Sequence, residues 1–298
     1  MNAWLVINHF LKSEKFAEIS NLLMAAAHDR QIELAIKTNY ELSFMIFKPI
    51  SQTERPDFVL FWNKDIRLAR LLEAAGLKLY NSADAIEICD DKARTYTHMS
   101  NNGLKMPKTL IAPQTYHNID WGAYDIIDAA EDIFGYPLVL KESIGSYGDQ
   151  VYLLNSREEL VNGMNSIGCR PMMLQEFIQT SKGRDIRIYI VGNQVAAAVY
   201  RYSETDDFRA NLTRGAKMRR YEPNKQQIQM ALDAVKSIGL DFAGVDILFG
   251  NDDEPILCEV NSNAHFKKTL ECTGVNVAEH IMDYIVDAMH NAQCTIHN

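Results

Sequence analysis

The chain has 298 residues, 47% of them apolar, and a formal net charge of -9 at pH 7. This length allows two domains, or three small ones, each able to bury a core. The acidic balance argues against broad binding to nucleic acids or anionic membranes. No segment approaches the ~20 consecutive apolar residues of a membrane span, so we expect no membrane association.

Cysteine usage and the N-terminal sequence bear on the compartment. The five cysteines are scattered without a C-x-x-C spacing, so we expect neither a disulfide framework nor a zinc site. The opening residues, MNAWLVINHF, have no charged leader and no small-residue cleavage site, so we expect no secretory signal. These features favour a cytoplasmic protein.

The first 90 residues alternate apolar strands with amphipathic helices. The predicted strands span 4–8, 32–37, 58–62 and 77–80, and the predicted helices span 13–29 and 66–75. Ser13 is expected to cap the first helix, and Gly76 to end the second. This β-α-β order predicts a small doubly wound α/β domain over residues 1–90. It contains no G-x-G-x-x-G turn, so no dinucleotide fingerprint is indicated.

A glycine-rich loop between two strands marks the middle of the chain. Strands predicted at 138–141 and 151–154 flank the sequence Gly145-Ser146-Tyr147-Gly148. Free backbone N–H groups in such a loop, with a lysine at its base, can hold phosphate oxygens. Lys141 lies within an otherwise apolar strand, and a buried ammonium needs a partner. The alternative is an ordinary hairpin turn, since the loop lacks the Walker sequence.

The other elements follow the same periodicity rules. Helices are predicted at 83–101, 126–134, 158–166, 225–239 and 277–289, strands at 171–178, 185–191 and 194–200, and a loop at 112–124. The most charged stretch, 201–220, has two interpretations. It is either a solvated loop or, because apolar anchors interrupt the charges between Asp206 and Leu212, a loop folded over a site.

The segment from Gly244 to Asn261 predicts a hairpin with a turn at 250–255. Asp246 and Glu259 lie equally far from the centre of that turn, so they should face each other, with Asn261 on the same face. The opposite face should carry core residues, namely Val245, Ile247, Phe249, Ile256, Cys258 and Val260. Two carboxylates and an amide oxygen are hard ligands suited to Mg²⁺. The alternative is a sheet edge with solvated acids.

Four sequence blocks in this order resemble the ATP-grasp superfamily, and within it the RimK-like carboxylate–amine ligases typified by ribosomal protein S6 glutamate ligase. The blocks are QEFI at 175–178, GRDIR at 183–187, DFRANL at 207–212, and GVDIL at 244–248 with EVN at 259–261. The resemblance covers about 81–284. It implies an ATP-grasp fold behind an N-terminal pre-ATP-grasp domain, with a lid subdomain at 91–175 and a C-terminal subdomain at 176–298 that carries the Mg²⁺ site.

The resemblance also implies roles for individual residues. Lys92, Lys141 and Ser146 would contact phosphates, and residues 143–148 would form a lid. The hinge strand at the adenine would comprise Gln175, Glu176, Phe177 and Ile178, and Asp185 would take the ribose. Arg209 and Asn211 would lie near the triphosphate. Asp246, Glu259 and Asn261 would bind magnesium, with Glu259 bridging two ions and Mn²⁺ as an alternative metal.

The implied chemistry is amide formation driven by ATP. A carboxylate would take the γ-phosphoryl group to become an acyl phosphate, and an amine would then displace phosphate. Magnesium, Lys141, Arg187, Arg209 and Asn211 would serve this transfer by offsetting and positioning its negative charge. Glutamate is one candidate substrate, and a peptide, a protein or a carrier-bound acyl group are others. The alternatives are an ATP-grasp kinase, a non-catalytic nucleotide-binding protein, and a globular protein whose acids are incidental.

Two positions depart from the family pattern. Where the family has a small residue and Ser-Pro-Gly after its E-V-N, this chain has Ser262-Asn263-Ala264-His265-Phe266, which leaves the acceptor open. His265 is a candidate substrate contact or base for the amine, and the alternative is a histidine without a functional role. Gly244 stands where the D-alanine–D-alanine ligase branch has an arginine, which counts against that branch. Relatives often form dimers or tetramers, so we also consider a homo-oligomer.

Overall fold

The computed structural model describes residues 1–43, 52–117, 125–145 and 148–296. The described ranges leave out residues 146 and 147 of the glycine-rich loop, and therefore Ser146, and residues 118–124 of the predicted loop at 112–124. Helices and strands are both present in the described ranges, and the chain has the mixed α/β character that the sequence predicts. None of the helices in these ranges is long and apolar enough to cross a membrane.

An all-parallel sheet forms the N-terminal part, in the order β2-β1-β3-β4. Its strands are β1 (Asn2–Ile7), β2 (Glu33–Thr38), β3 (Phe58–Phe61) and β4 (Leu79–Tyr80), and its helices are α1 (Glu14–His28), α2 (Asn39–Leu42) and α3 (Ile66–Ala74). The predicted strands and the helices at 13–29 and 66–75 are confirmed to within a few residues. Ser13 occupies the predicted N-cap position of α1, although its side chain makes no capping hydrogen bond.

The helix predicted at 83–101 is wrong as a single element. The structure has two helices, α4 (Ala83–Asp90) and α5 (Lys92–Met99), separated by Asp91 in an extended conformation. The Asp91 side chain accepts a hydrogen bond from the Arg94 backbone N–H (3.2 Å) and so caps α5. Asp91 also forms a β-bridge with Ile144. A capping aspartate within an apparently continuous helical pattern therefore starts a new helix that points at the glycine-rich loop.

A second, antiparallel sheet has the order β5-β8-β6-β7. It comprises β5 (Thr109–Ile111), β6 (Leu138–Glu142), β7 (Val151–Leu154) and β8 (Met172–Glu176), with helices α6 (Asp125–Phe134) and α7 (Arg157–Ile167). Apolar side chains of both helices and of β6 and β8 form a separate core that includes Ile127, Leu140 and Leu160. This core helps to fix β6, which carries Lys141.

The third sheet is antiparallel, in the order β11-β10-β9-β12-β13. Its strands are β9 (Arg184–Val191), β10 (Gln194–Tyr202), β11 (Lys217–Arg220), β12 (Phe242–Phe249) and β13 (Pro255–Asn261), and its helices are α8 (Lys225–Ile238), α9 (Lys267–Thr273) and α10 (Val277–Ile296). The second sheet extends one residue beyond the predicted range 91–175, because β8 ends at Glu176. The boundaries at residues 90 and 175 stay predictions.

The predicted hairpin is confirmed as β12 and β13, with Asp246 opposite Glu259. A β-bulge follows this pair, because Ile247 lies opposite Leu257 and leaves Cys258 as the extra residue. A bulge reverses the alternation of faces on its strand. Leu257 therefore packs with Val245 in the core beneath α8.

The bulge affects two predicted core positions. Cys258 was assigned to the core face, but it lines the main cavity of the protein. Ile256 was assigned to the same face and is buried as predicted (5% exposed), but it pairs with Leu248, which lines the cavity. The other assignments, Val245, Ile247, Phe249 and Val260, are confirmed as core residues.

A buried amide ties the N-terminal sheet to this hairpin. The Asn81 side chain donates to the carbonyls of Phe242 (3.0 Å) and Ser262 (3.3 Å). Its oxygen accepts from the backbone N–H groups of Asp241 (2.6 Å) and Phe242 (3.2 Å). Helix α10 packs on α1 in the same region, within a core that includes Leu5 and Phe242. The N-terminal domain is thereby held against the open end of the hairpin, where β12 begins and β13 ends.

Candidate active site

One cavity of about 660 Å³ lies among the second sheet, the third sheet and α1. Thirteen of the fourteen residues singled out in the sequence line it, and Ser146 lies outside the described residues. The thirteen are Lys92, Lys141, Gln175, Glu176, Phe177, Ile178, Asp185, Arg187, Arg209, Asn211, Asp246, Glu259 and Asn261. They come from seven separate segments of the chain, so only the tertiary fold brings them together.

Lys92 connects the glycine-rich loop to the hairpin. It is the first residue of α5, its backbone N–H donates to the carbonyl of Ser143 (2.8 Å), and its ammonium donates to the carbonyl of Gly145 (2.9 Å). The same ammonium lies 3.5 Å from Glu259 Oε1. The break at Asp91 is what turns Lys92 toward this position. Lys92 therefore lies between the predicted phosphate loop and a predicted metal ligand.

Lys141 is a buried cation on the opposite wall. It is 9% exposed and lines the cavity from β6. Within the ranges that the structure describes, it makes no ion pair and no hydrogen bond through its side chain. A buried ammonium without an anionic partner is energetically unfavourable. Lys141 thus has the electrostatic character of a site for an anion.

A buried ion-pair chain lies beneath the hairpin. Arg187 donates twice to Asp246, from Nε to Oδ1 (2.6 Å) and from a terminal nitrogen to Oδ2 (2.7 Å). Arg201 lies 3.0 Å from Asp246 Oδ2 and donates two hydrogen bonds of 2.6 Å to Asp185. The order is therefore Arg187, Asp246, Arg201, Asp185. Each carboxylate is balanced by at least one guanidinium.

The pKa values of the two acids in this ion-pair chain are shifted in opposite directions. Burial by itself would raise the pKa of Asp246, but Arg187 and Arg201 together outweigh it and lower that pKa below its usual value. Burial raises the pKa of Asp185 despite its contact with Arg201. The difference follows from partner number, because Asp246 contacts two guanidinium groups and Asp185 one. Asp246 is held as an anion.

The predicted magnesium ligands form a donor set that fits the ion. No group of three or more His, Cys, Asp or Glu side chains suited to a metal occurs in the described part of the chain, but this set has two acids and one amide. Glu259 makes one long contact, to Lys92, and Asn261 lies on the same side of the strand. Asp246 already accepts two hydrogen bonds from Arg187 and lies 3.0 Å from Arg201, whereas a carboxylate can accept roughly four hydrogen bonds. Glu259 and Asn261 therefore have more free oxygen lone pairs than Asp246.

The charged stretch at 201–220 covers the cavity in part. Arg209 is fixed by Asp207 and donates to the carbonyls of Gly148 (2.9 Å) and Val151 (3.1 Å). Gly148 has a φ of +69°, and a Cβ on it would lie 3.2 Å from Asn211 Nδ2. Only glycine suits both the backbone conformation and the close approach. Of the two interpretations of this stretch, the loop folded over a site is the one that describes residues 207–213.

The predicted hinge strand borders an apolar slot. Glu176 accepts a hydrogen bond from the Lys108 backbone N–H (2.9 Å), and Gln175 donates to the Thr109 hydroxyl (2.9 Å). Phe177 contacts Phe208 edge to face, with ring centroids 5.9 Å apart. The remaining walls include Val139, Ile178, Leu212 and Leu248. A flat apolar ring system fits between such walls.

The segment after β13 fills the space beside Arg187. A Cβ on Gly244 would lie 2.4 Å from Ala264 Cβ and 3.4 Å from Arg187 Cδ, so the departure at residue 244 makes room for this segment. The Tyr189 hydroxyl donates to the carbonyl of His265 (2.6 Å). Burial, then the charges of Lys15 and Arg187, lower the pKa of His265 to about 4.

Arg201 is a site residue that the sequence did not indicate. The hairpin of β9 and β10 turns at residues 192 and 193, and strict symmetry would place residue 200 opposite Asp185. A register shift between Val195 and Ala197 places Arg201 there instead. The pairing of Arg187 with Asp246 joins strands 59 residues apart. Neither contact leaves a local signal in the sequence.

Comparison with known proteins identifies the family. The RimK-like ATP-grasp domain family matches residues 89–285. The chain belongs to the RimK-like ATP-grasp family. This confirms the predicted family and the class of ATP-dependent ligase that it represents.

Two relatives and one solved structure illustrate the similarity. A probable alpha-L-glutamate ligase from Enterobacter sp. (strain 638) is 34% identical over 219 residues, which cover 72% of this chain and 70% of the relative. An uncharacterized protein, the MG012 homolog of Mycoplasma pneumoniae, is 32% identical over 269 residues, 87% of this chain and 90% of its own. The D-alanine–D-alanine ligase of Bacillus anthracis superimposes with a TM-score of 0.75 over 99% of both chains, at 16% identity. That likeness confirms the ATP-grasp fold and extends no further.

Proposed function

We propose that this RimK-like protein is an Mg²⁺- and ATP-dependent ligase that joins a carboxylate to an amine through an acyl phosphate. The observation that carries the proposal is that Lys141, which makes no ion pair with the described residues, lines the same cavity as the Asp246–Glu259 pair. An isolated sheet edge with solvated acids would not need a buried lysine opposite it.

In this proposal the nucleotide spans the cavity. Its adenine lies in the apolar slot beside Phe177, next to the backbone of residues 176–178, in which the Glu176 N–H already donates to the Lys108 carbonyl and the Ile178 carbonyl already accepts from the Ser181 N–H. Asp185 lines the same cavity and already accepts two hydrogen bonds from Arg201. It would bind the ribose through the remaining lone pairs of its carboxylate. The triphosphate lies between Lys92 and Lys141. Glu259, Asn261 and one oxygen of Asp246 would hold Mg²⁺, which supplies charge neutralisation at the phosphates when bound.

The first chemical step places two anions in contact. A carboxylate oxygen attacks the γ-phosphorus, the bond to the β-phosphate oxygen breaks, and ADP leaves. Repulsion between the carboxylate and the phosphates opposes this attack, and fixed cations offset it without reorganising. Arg187 suits this role because its guanidinium is already oriented by Asp246. Lys141 and Arg209 serve the transferred phosphoryl group, and Asn211 lies beside Arg209.

The second step forms the amide. The amine nitrogen attacks the acyl carbon, phosphate departs with the electrons of the C–O bond, and the nitrogen loses a proton. His265 is a poor base for that proton, because an imidazole with a pKa of about 4 holds a proton weakly at pH 7. We therefore propose that His265 is a neutral contact for a substrate, and that the departing phosphate takes the proton.

Glutamate is the substrate to test first, since the relative from Enterobacter is named a probable alpha-L-glutamate ligase. The experiment measures ADP release with ATP and Mg²⁺ across a matrix of carboxylates and amines, with mass spectrometry of each product. ADP release that needs both partners, with a product mass lower by one water than their sum, supports the ligase. ADP release without an amide indicates a kinase. Failure to bind ATP contradicts the proposal.

A further inference from the structure

Helix α5 and strand β13 meet at the β-bulge of the hairpin. Tyr96 of α5 is 6% exposed, and its hydroxyl donates a hydrogen bond to the Cys258 carbonyl (3.0 Å). Cys258 is the extra residue of the bulge. Burial raises the pKa of Tyr96 well above its usual value, so the hydroxyl stays protonated at neutral pH and can donate. The proposed function gives this buried hydroxyl no role.

The bulge turns the Cys258 carbonyl out of the sheet. In a regular strand the N–H and C=O groups of one residue point to one edge, and those of the next residue point to the other edge. On the outer edge of β13, however, the Leu257 N–H donates to the Lys105 carbonyl (2.8 Å) and the Cys258 carbonyl accepts from Tyr96. A regular strand would point that carbonyl at β12. The Tyr96 hydroxyl therefore satisfies a buried acceptor that the bulge itself creates.

The same bulge decides which face of β13 carries Glu259. Leu257 and Val260 both belong to the core beneath α8, although strict alternation puts residues three positions apart on opposite faces. The extra residue reconciles the two, and both Cys258 and Glu259 line the cavity. In a regular strand with Leu257 still in the core, Glu259 would turn toward the core and Val260 would leave it.

Helix α5 is anchored by contacts other than the Tyr96 hydroxyl. The Thr95 hydroxyl lies 2.6 Å from the Ile88 carbonyl of α4. Nε2 of His98 lies 2.7 Å from the Ser237 carbonyl of α8. Removing the Tyr96 hydroxyl alone should therefore leave the helix in place and change only what the helix does to β13.

Two residues one turn apart on α5 contact successive residues of β13. The Lys92 ammonium lies 3.5 Å from Glu259 Oε1, and the Tyr96 hydroxyl binds the carbonyl of Cys258. The helix thus holds the Glu259 carboxylate through a charge and the backbone before it through a hydrogen bond.

We propose that Tyr96 is a positioning residue for the metal site, because its hydroxyl holds the bulge that turns Glu259 and Asn261 toward the cavity. This inference rests on the magnesium site of the proposed function. Tyr96 does not touch the metal or the nucleotide in this arrangement. It acts through the backbone of Cys258, so its loss should affect the metal-dependent part of nucleotide binding.

The test measures binding of the non-hydrolysable ATP analogue AMP-PNP to the full chain by titration calorimetry, once with saturating Mg²⁺ and once with EDTA. Tyr96→Phe removes the hydroxyl and keeps the ring. We expect it to bind AMP-PNP at least about tenfold more weakly with Mg²⁺, as is typical when a group that orients a metal ligand is removed. Its affinity in EDTA should equal that of the wild type. Tyr136→Phe is the matched control, since it removes a hydroxyl that donates to Glu131 (2.9 Å) beside the core of the second sheet, and it should bind like the wild type in both conditions.

The two conditions separate positioning of the metal ligands from general support of the fold. If Tyr96→Phe binds AMP-PNP with Mg²⁺ as tightly as Tyr136→Phe does, the inference is wrong and the magnesium site stands. An equal loss of affinity with Mg²⁺ and with EDTA, which a loosened or unfolded chain would also give, would overturn it as well. If the wild type binds AMP-PNP equally in both conditions, the proposed magnesium site fails and the role of Tyr96 fails with it.

Discussion

Replacing Arg201 should destabilise the protein strongly, because it would leave the buried Asp185 without its guanidinium partner. Arg201 is 7% exposed and Asp185 9% exposed, and two hydrogen bonds of 2.6 Å join them. Removing one member of a buried ion pair costs about 3–5 kcal/mol. For a chain of this size we expect Arg201→Gln to lower Tm by about 6–10 °C. The double variant Arg201→Gln/Asp185→Asn should recover a large part of this loss, because it removes the unpaired charge.

Thermal and urea unfolding at two pH values would check this reasoning. Without Arg201, the pKa of Asp185 should rise further, so the folded variant binds a proton that the unfolded chain releases. Its deficit relative to the wild type should therefore be smaller at pH 5.5 than at pH 7.5. Arg157→Gln, which breaks an exposed ion pair with Asp128, is the control and should leave Tm unchanged. A Tm for Arg201→Gln within about 2 °C of the wild type would refute the assigned role of this ion pair.

Three further predictions concern single residues of the site. Glu259→Gln should reduce kcat at least about 100-fold with an unchanged Tm, because it removes a proposed metal ligand and no apolar contact. Glu222→Gln serves as the exposed control. Near-normal turnover of Glu259→Gln would contradict the metal assignment. Lys141→Met should raise the Tm of the nucleotide-free protein and weaken ATP binding at least about tenfold, because it removes a buried charge, without an ion pair among the described residues, that the phosphates would neutralise. Lys225→Met, at an exposed position, is the control. If the two variants have the same Tm and the same ATP affinity, Lys141 does not belong to the site. The free energy of unfolding should fall as pH falls from 6.5 toward 4, because His265 in the unfolded chain takes up a proton that the folded ring does not. For His265→Asn this fall should be about 2 kcal/mol smaller, with allowance for the exposed part of the ring. Identical pH profiles of the two proteins would count against the lowered pKa.

The hairpin at the centre of the site illustrates how much the sequence could predict. Equal distances from the turn placed Asp246 opposite Glu259, and the structure confirms that pairing. The pattern of apolar and polar residues also located most of the strands and helices, although it missed β5 and β11, and the order of the motif blocks indicated the family. These features depend on neighbours within one or two turns or strand lengths, and a short window of sequence records them directly.

Irregularities in the backbone set the limit of that prediction. Because of the bulge at Cys258, Leu257 packs in the core and Cys258 lines the cavity. The register shift after Val195 brings Arg201 opposite Asp185. Each adds one residue to a strand, and a strand's side chains change face at every residue. The site is also completed by Lys15, which lies in α1 and reaches the cavity through the packing of the N-terminal domain.

The sequence by itself therefore determined the element types, the facing carboxylates and the family, because local periodicity and motif order encode them. The tertiary structure decided which charges meet. Arg187, Arg201 and Lys15 reach the site through strand pairing and helix packing between distant segments. Such contacts are selected by the free energy of burying whole surfaces rather than by any short run of residues.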